Sequence, residues 1–402
     1  MKYLCVNAGS SSLKFQLFEM PEEEVIISGY IEKIGLEDSF WTTKINGEKI
    51  KGAKYLKDHN AAVEVLLSEL LDHKAVKSLD EIKGVGHRVL HGGEKYSSSV
   101  LITDEVIQDI KDLTKLGPLH HPGNLAGIEA LKAVLPDVPM VAVYDTAFHQ
   151  TMPKENYIYP VPYEWYLKYG VRKYGFHGTS HKYITTVMKK KLKKDKVNLI
   201  ICHIGSGASI SAIKDGKCYD TTMGITPLDG LMMGTRSGSI DPSILEYVCK
   251  ESGMSISEVT NDLNKKSGYL GVCGFSDARD VEEAASKGDE RAILAFNMYN
   301  DRVAKYIADY YIELEGKVDA IVFTAGVGEN GYDAREAASS TSLLSEKPLI
   351  PSKPLFLFSA FVISAILSPD SLHTYSKIDG SIEPLRVPII SPSSGVIPIV
   401  VS

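Results

Sequence analysis

Arg88 stands just ahead of His91-Gly92-Gly93, and Arg236 lies inside Met233-Gly-Thr-Arg-Ser-Gly238. Both arginines sit in turns of small residues, where a planar guanidinium can meet the oxygens of a carboxylate or phosphate. Asp145 follows the apolar run Met140–Tyr144. That position suits a catalytic or metal-organising carboxylate, and equally one that stabilises a turn. Two Gly/Ser turns complete the set. Tyr3-Leu-Cys-Val-Asn-Ala-Gly-Ser-Ser-Ser-Leu-Lys14 and Leu199-Ile-Ile-Cys-His-Ile-Gly-Ser-Gly-Ala-Ser-Ile210 read as copies at a constant offset of 196. Asn7 aligns with His203, Gly9 with Gly205 and Ser10 with Ser206. Small residues between two strands let backbone N–H groups approach an anion closely. The chemistry indicated is a duplicated fold gripping one polyphosphate from both sides.

Other motifs exclude rather than indicate. The chain has no G-x-x-x-x-G-K-[ST] loop and no H-R-D loop, which argues against two large kinase classes. Gly326-Val-Gly-Glu-Asn-Gly331 fits G-x-G-x-x-G after a strand, but a nicotinamide site would rest on that match alone. His120, His121, His149, His177 and His181 include one i,i+4 pair but no intervening Glu of the zinc-protease type. They read as hydrogen-bonding histidines in a polar cleft.

The elements needed to position these residues follow from periodicity. Tyr3–Val6 and Leu13–Phe18 predict a hairpin, and residues 24–34 and 41–45 further strands. Residues 61–71 and 106–114 predict helices, as do 124–134 with Asn124 as the cap. Residues 82–90 and Met140–Tyr144 predict buried strands. The second half repeats the pattern, with strands from Leu199 and Ser209 and another at Ala320–Thr324. Lys189–Lys196 is a basic run that complements a helix C-terminus.

A chain of 402 residues with 44% hydrophobic and 24% charged residues has the composition of an ordinary globular protein of about two domains. Its net charge of −7 argues against nucleic acid as a partner. Five cysteines without a C-x-x-C pair suit reduced thiols and a cytoplasmic location. The apolar run Leu355–Ser368 is too short to span a bilayer, and no signal segment opens the chain, so no membrane partner is expected.

Six segments together resemble acetate kinase. They are Asn7–Lys14, His87-Arg-Val-Leu-His-Gly-Gly-Glu94, Pro118-Leu-His120, Asp145-Thr-Ala-Phe-His-Gln-Thr-Met-Pro153, Arg172-Lys-Tyr-Gly-Phe-His-Gly-Thr-Ser-His181 and Met233–Gly238. They run in order from residue 1 to about Arg335. The resemblance implies the fold of the sugar-kinase, actin and chaperone ATPase superfamily: α/β, two duplicated ribonuclease-H-like domains with the active site in the cleft between them. Residues 1–150 would form the N-terminal domain, with the extreme C-terminus a candidate to complete it. Residues 151–380 would form the nucleotide-binding domain.

The implied reaction is ATP plus acetate giving ADP and acetyl phosphate, with Mg2+, in a homodimer. By this resemblance Asn7 lies at the metal, and Ser10, Ser12 and Lys14 line the phosphate region. His203, Ile204, Gly205, Ser206 and Gly207 match nucleotide-binding segments, as do Asp277, Ala278, Arg279, Ala325, Gly326, Val327, Gly328 and Glu329. Arg88 and Arg236 match the pair that holds carboxylate and phosphoryl group, His177 the transition-state stabiliser, and Asp145 the essential acid. Leu90, Leu119, Phe176 and Pro227 match an apolar pocket for the substrate methyl, with His120 beside the substrate. A carboxylate substrate with a pKa of roughly 4 is ionised at neutral pH and needs no general base. Asp145 is therefore read as organising Mg2+ or its waters. Propionate or butyrate kinase is the near alternative. A nucleotide-gated binding module of the actin or chaperone type is the alternative of another class.

The chain departs from the family pattern at three places. Ser206 stands for Asn, Ser239 for Asp, and residues 339–402 form an anomalous Ser/Pro-rich tail without the family's Asn-Glu-Glu metal motif. Asp379 and Glu383 fall in the right region without supporting neighbours. A change of reading frame is one origin for such a tail, and an intact mass checks it.

Overall fold

The computed structural model describes residues 1–330 and 399–401, and the chain divides into two compact units. Unit 1 comprises Met1–Gln150 and Tyr174–Thr179; unit 2 comprises Thr151–Lys173 and the residues from Ser180 onward.

Unit 1 is built on an eight-stranded sheet. Its strands are β1 (Lys2–Ala8), β2 (Ser12–Glu19), β3 (Glu24–Glu32), β4 (Phe40–Ile45), β5 (Glu48–Ala53), β6 (Ile82–Val89), β7 (Val100–Leu101) and β8 (Met140–Tyr144), in the order β5-β4-β3-β2-β1-β6-β8-β7. Period-two alternation decides which face is buried. Leu4, Val6, Leu13, Phe15 and Leu17 point into the core, and Asn7 and Lys14 share the other face as cross-strand partners. Three helices cover unit 1: α1 (His59–Asp72), α2 (Asp104–Asp112) and α3 (His121–Val134). Leu66, Leu67 and Leu70 of α1 and Leu131 of α3 fill the core against the sheet. Asp58 caps α1 by accepting from Ala61 N at 3.0 Å.

One boundary differs from the sequence expectation. Helix α3 begins at His121, not Asn124, with Pro122 in its first turn, where a missing N–H leaves no bond unmade. Asn124 therefore caps nothing, and its amide is used elsewhere.

Unit 2 carries a five-stranded sheet: β9 (Leu199–Ile204), β10 (Ala208–Lys214), β11 (Lys217–Thr221), β12 (Ala320–Thr324) and β13 (Ile399–Val401), in the order β11-β10-β9-β12-β13. Its helices are α4 (Lys154–Tyr157), α5 (Tyr163–Tyr169), α6 (Gly178–Leu192, whose first two residues belong to unit 1), α7 (Ser243–Ser252), α8 (Ile256–Lys265), α9 (Gly268–Cys273), α10 (Ala278–Ser286), α11 (Glu290–Glu313) and α12 (Ala325–Asn330). Residues 199–202 of β9 and all of β12 are buried, as expected of central parallel strands. Three of the run's lysines, Lys189–Lys191, close the last turn of α6. Residues 399–401 pair in parallel with β12, so this part of the C-terminus extends the second sheet.

The two sheets repeat one topology. In each, three antiparallel strands (β3-β2-β1; β11-β10-β9) continue into two parallel ones (β6-β8; β12-β13). This is the duplicated ribonuclease-H-like arrangement, and the Gly/Ser turns are its equivalent β1–β2 and β9–β10 corners. The copies are not identical: Ala8 pairs with Leu13 but Ile204 with Ala208, so the second turn is one residue shorter. The G-x-G-x-x-G match at residues 326–331 does not open a loop. Its first residues continue directly from β12 into α12.

Candidate functional site

In unit 1 the chemistry gathers at the ends of three adjacent strands. Arg88 is the penultimate residue of β6, and its Cα partner on β8 is Val143, two residues before Asp145. Parallel pairing thus brings residues far apart in sequence to one sheet edge. Arg88 Nε donates to Asp145 Oδ1 at 3.0 Å and Nη2 to Oδ2 at 2.6 Å, a forked pair. Arg88 Nη1 donates to Asn7 Oδ1 at 3.2 Å. Asp145 is only 2% exposed, whereas the Arg88 side chain is 37% exposed. The buried carboxylate raises the pKa of Arg88, whose side chain stays partly open to solvent.

Backbone contacts keep Asp145 in place. Its N–H donates to Val89 O at 3.0 Å, and its carbonyl accepts from Gly178 N at 2.9 Å. A Cβ at Gly178 would lie 2.1 Å from that carbonyl oxygen, so only glycine permits the approach. The same contact sets His177 beside Asp145, in a left-handed conformation at φ 57°. Gly92 N donates to Thr146 Oγ1 at 2.9 Å, fixing the turn after Arg88.

The remaining expected residues of unit 1 fall less tightly. Ser10 is exposed, Ser12 half-buried, and Lys14 exposed on the Asn7 face. Leu90 and Phe176 are buried, and the ring of His91 meets Phe176 edge-on. Leu119 is 54% exposed and forms no closed wall with them within unit 1. His120 occupies the N-cap position of α3.

In unit 2 the loop Gly224–Ser239 carries Arg236, whose Nη1 donates to Pro227 O at 3.1 Å. Burial lowers the pKa of Arg236. Ser239 closes the loop, with its N–H on Gly230 O at 2.9 Å and its Oγ on Asp229 Oδ1 at 2.6 Å. The residue that departs from the family pattern is thus a structural clasp. Three other segments converge near this loop. A Cβ on Gly234 would meet Ser276 O at 2.5 Å and Ser206 O at 3.8 Å, and one on Gly205 would meet Ala325 Cβ at 3.6 Å. The His203–Gly207 turn, Asp277–Arg279 and the start of α12 with Gly326 and Gly328 therefore lie together. His203 Nδ1 bonds Ser180 Oγ at 2.9 Å, and Ile204 is buried. Asp277 caps α10 and forks onto Arg279, which lowers its pKa to about 2. The side chains of Val327 and Glu329, and the tail with Asp379 and Glu383, lie outside the described residues.

Sequence reasoning passed over His59 and did not foresee the partners of His121 and Asn124, yet all three build the site. His59 Nε2 meets Gly9 O at 2.7 Å, His121 accepts from His91 N at 3.2 Å, and Asn124 bonds both Ala8 and Leu90. No local pattern marks them, because each contact spans at least 30 residues. Among the described residues no group of three His, Cys, Asp or Glu is placed to hold a metal. No described helix is long and apolar enough to cross a membrane.

Comparison with known proteins bears on these features. The sequence profile of the acetokinase family matches residues 2–343. An acetate kinase of Bacillus cytotoxicus is 55% identical over 338 residues, 83% of this chain and 85% of that one. The crystal structure of Porphyromonas gingivalis acetate kinase superposes with a TM-score of 0.80 at 48% identity, covering 85% of this chain and 86% of that chain. A propionate kinase from Francisella tularensis superposes at 0.81 with 44% identity, covering 84% and 87%. The profile match ends at residue 343, close to where the expected pattern is lost after Arg335.

Proposed function

This chain belongs to the acetokinase family, and from that premise we propose that it transfers the γ-phosphoryl group of ATP reversibly to acetate, giving ADP and acetyl phosphate. The observation that carries the proposal is the Asn7–Arg88–Asp145 constellation. It is a permanently charged guanidinium, braced from behind by a buried carboxylate, with one edge left for an anionic substrate.

The difficulty of the reaction is charge, since an ionised carboxylate must approach an anionic phosphoryl group. Arg88 holds the carboxylate, and Asp145 fixes the plane of the guanidinium. No proton need be removed from the nucleophile, so the pair acts by position and field. Arg236, partly desolvated and tied to Pro227 O, is assigned to the transferring phosphoryl group. His177 and Lys14 are assigned to charge developing on its oxygens. The His203–Gly207 turn, Asp277–Arg279 and Ala325–Glu329 are assigned to the nucleotide. We further propose direct in-line transfer, without a phosphoenzyme.

Asn7 Oδ1 and the remaining lone pairs of Asp145 are the described donors that suit Mg2+. So sparse a set fits an ion held chiefly by phosphate oxygens and water. Bound there, Mg2+ would neutralise phosphate charge.

The propionate kinase neighbour superposes as well as the acetate kinase, so chain length is tested directly. One methylene is worth about 1–3 kcal/mol in such a pocket. Initial rates of acyl hydroxamate formation with acetate, propionate and butyrate decide the question. The highest kcat/KM is expected for acetate. No acyl phosphate from any of the three, with acetate-independent ATP hydrolysis, would instead favour a nucleotide-gated module.

Homodimerisation is proposed from α5, which exposes Tyr163, Trp165, Leu167 and Tyr169. A cytoplasmic location is proposed from the five scattered cysteines, which form no C-x-x-C pair.

A further inference from the structure

Asn124 stands in the first turn of α3 and is 5% exposed. Its amide is divided between two segments of unit 1. Nδ2 donates to the carbonyl of Ala8 at 2.6 Å, and Oδ1 accepts from the N–H of Leu90 at 3.1 Å. Ala8 ends β1, one residue beyond Asn7; Leu90 follows β6, two residues beyond Arg88. The helix start also presses on the neighbouring turn, since a Cβ at Gly123 would lie 2.3 Å from Gly9 O.

A primary amide carries a donor and an acceptor on one rigid plane, so it can serve both backbone groups at once. A carboxylate only accepts, and a hydroxyl must give and accept through a single atom. The geometry therefore ties the separation of two strand ends to a single side chain. We propose that Asn124 is a positioning residue for phosphoryl transfer: it sets the Asn7–Ser10 turn against the Arg88–His91 segment, and so aligns the phosphoryl region with the carboxylate-binding arginine. This inference rests on the acetate kinase reading above.

The test is Asn124→Asp, compared with wild type and with Leu131→Val, a core change on the same helix away from these contacts. At pH 8 the ionised Asp still accepts from Leu90 N but faces the Ala8 carbonyl with no proton to donate. We expect kcat to fall about 30-fold or more while KM for acetate stays within about threefold, because the Leu90 contact survives. At lower pH the buried carboxyl protonates and regains its donor. The ratio of variant to wild-type kcat should rise about fivefold or more between pH 8.5 and 6. His59, His120, His121, Arg88 and Asp145 are common to both proteins and cancel in that ratio.

A role confined to stability would lower the melting temperature, as Leu131→Val should, but leave the kcat ratio near one and flat with pH. That result overturns the inference. If Asn124→Asp does not fold at pH 8, Asn124→Ser is measured instead, with an expected kcat loss of about tenfold; unchanged kcat overturns the inference. Wild-type hydroxamate formation is scored separately. Its absence would refute the acetate kinase reading, whereas an active wild type with a flat ratio refutes only the role of Asn124.

Discussion

Replacing Asp145 with Asn tests the central constellation without changing its shape. The wild-type carboxylate accepts from Arg88 Nε at 3.0 Å and from Nη2 at 2.6 Å. An Asn side chain keeps one acceptor and turns an NH2 group toward the other donor, so one contact becomes repulsive. A hydrogen bond to a charged group is worth about 1.5–3 kcal/mol, and breaking a buried pair about 3–5. Here the Arg88 side chain is 37% exposed and recovers part of its hydration, so a loss of about 2–3 kcal/mol is expected. For a unit of roughly 150 residues that corresponds to a melting shift of about 4–12 °C. The guanidinium should also lose its fixed plane, lowering kcat/KM for acetate about 30- to 300-fold, or about 2–3.4 kcal/mol. Hydroxamate kinetics and thermal unfolding followed by circular dichroism measure the two effects. Activity within threefold of wild type, with an unshifted melt, would refute the claim that Asp145 braces Arg88.

Arg236→Ala should lower kcat by at least about 100-fold with a melting shift of only a few degrees. The protein-side bonds resolved for this guanidinium are to Pro227 O and the Met233 sulfur. Near-normal turnover would sink its assignment. Gly178→Ala should destabilise unit 1 by about 2–4 kcal/mol, since its Cβ would sit 2.1 Å from Asp145 O, and an unshifted melt would contradict the geometry. Buried His87 has its pKa lowered to about 4 by desolvation, so the unfolded chain binds more protons between pH 4 and 6.5. Unit 1 should lose about 3 kcal/mol on acidification through that window, and His87→Gln should remove most of the slope. Glu313 of unit 2 has the opposite sign. Burial and then Asp220 raise its pKa to about 7, so its contribution is present below pH 4.5 and lost as pH rises through 7. Glu313→Gln should flatten that loss. Trp41 and Trp165, one in each unit, let single-tryptophan variants report the two dependences, and parallel pH profiles for both would refute the opposed signs.

Most of the strand and helix grammar was readable from short-range patterns. Met140–Tyr144 and Ala320–Thr324 appear with the expected ends, and the offset of 196 corresponds to two sheets of one topology. β5 was not foreseen: Glu48–Ala53 is a polar edge strand that has alternation too weak to announce itself. The start of α3 was misplaced because Asn124 has the chemistry of a cap, and nothing local shows that its amide is committed to Ala8, 116 residues away.

What the sequence by itself determined was the set of chemical parts and the repeat that carries them, because those depend on residue type and on spacing along the chain. What only the tertiary structure decided was how each part is held. The plane of the Arg88 guanidinium is fixed because parallel pairing of β6 and β8 brings Asp145 to it across 57 residues. Ser239 proves to be a clasp on Asp229, and Asn124 a tie between two strand ends. Hydrogen-bond partners, burial and the pKa shifts they cause are properties of neighbours in space. Those neighbours are chosen by sheet register and helix packing, which residue order specifies only through the folded whole.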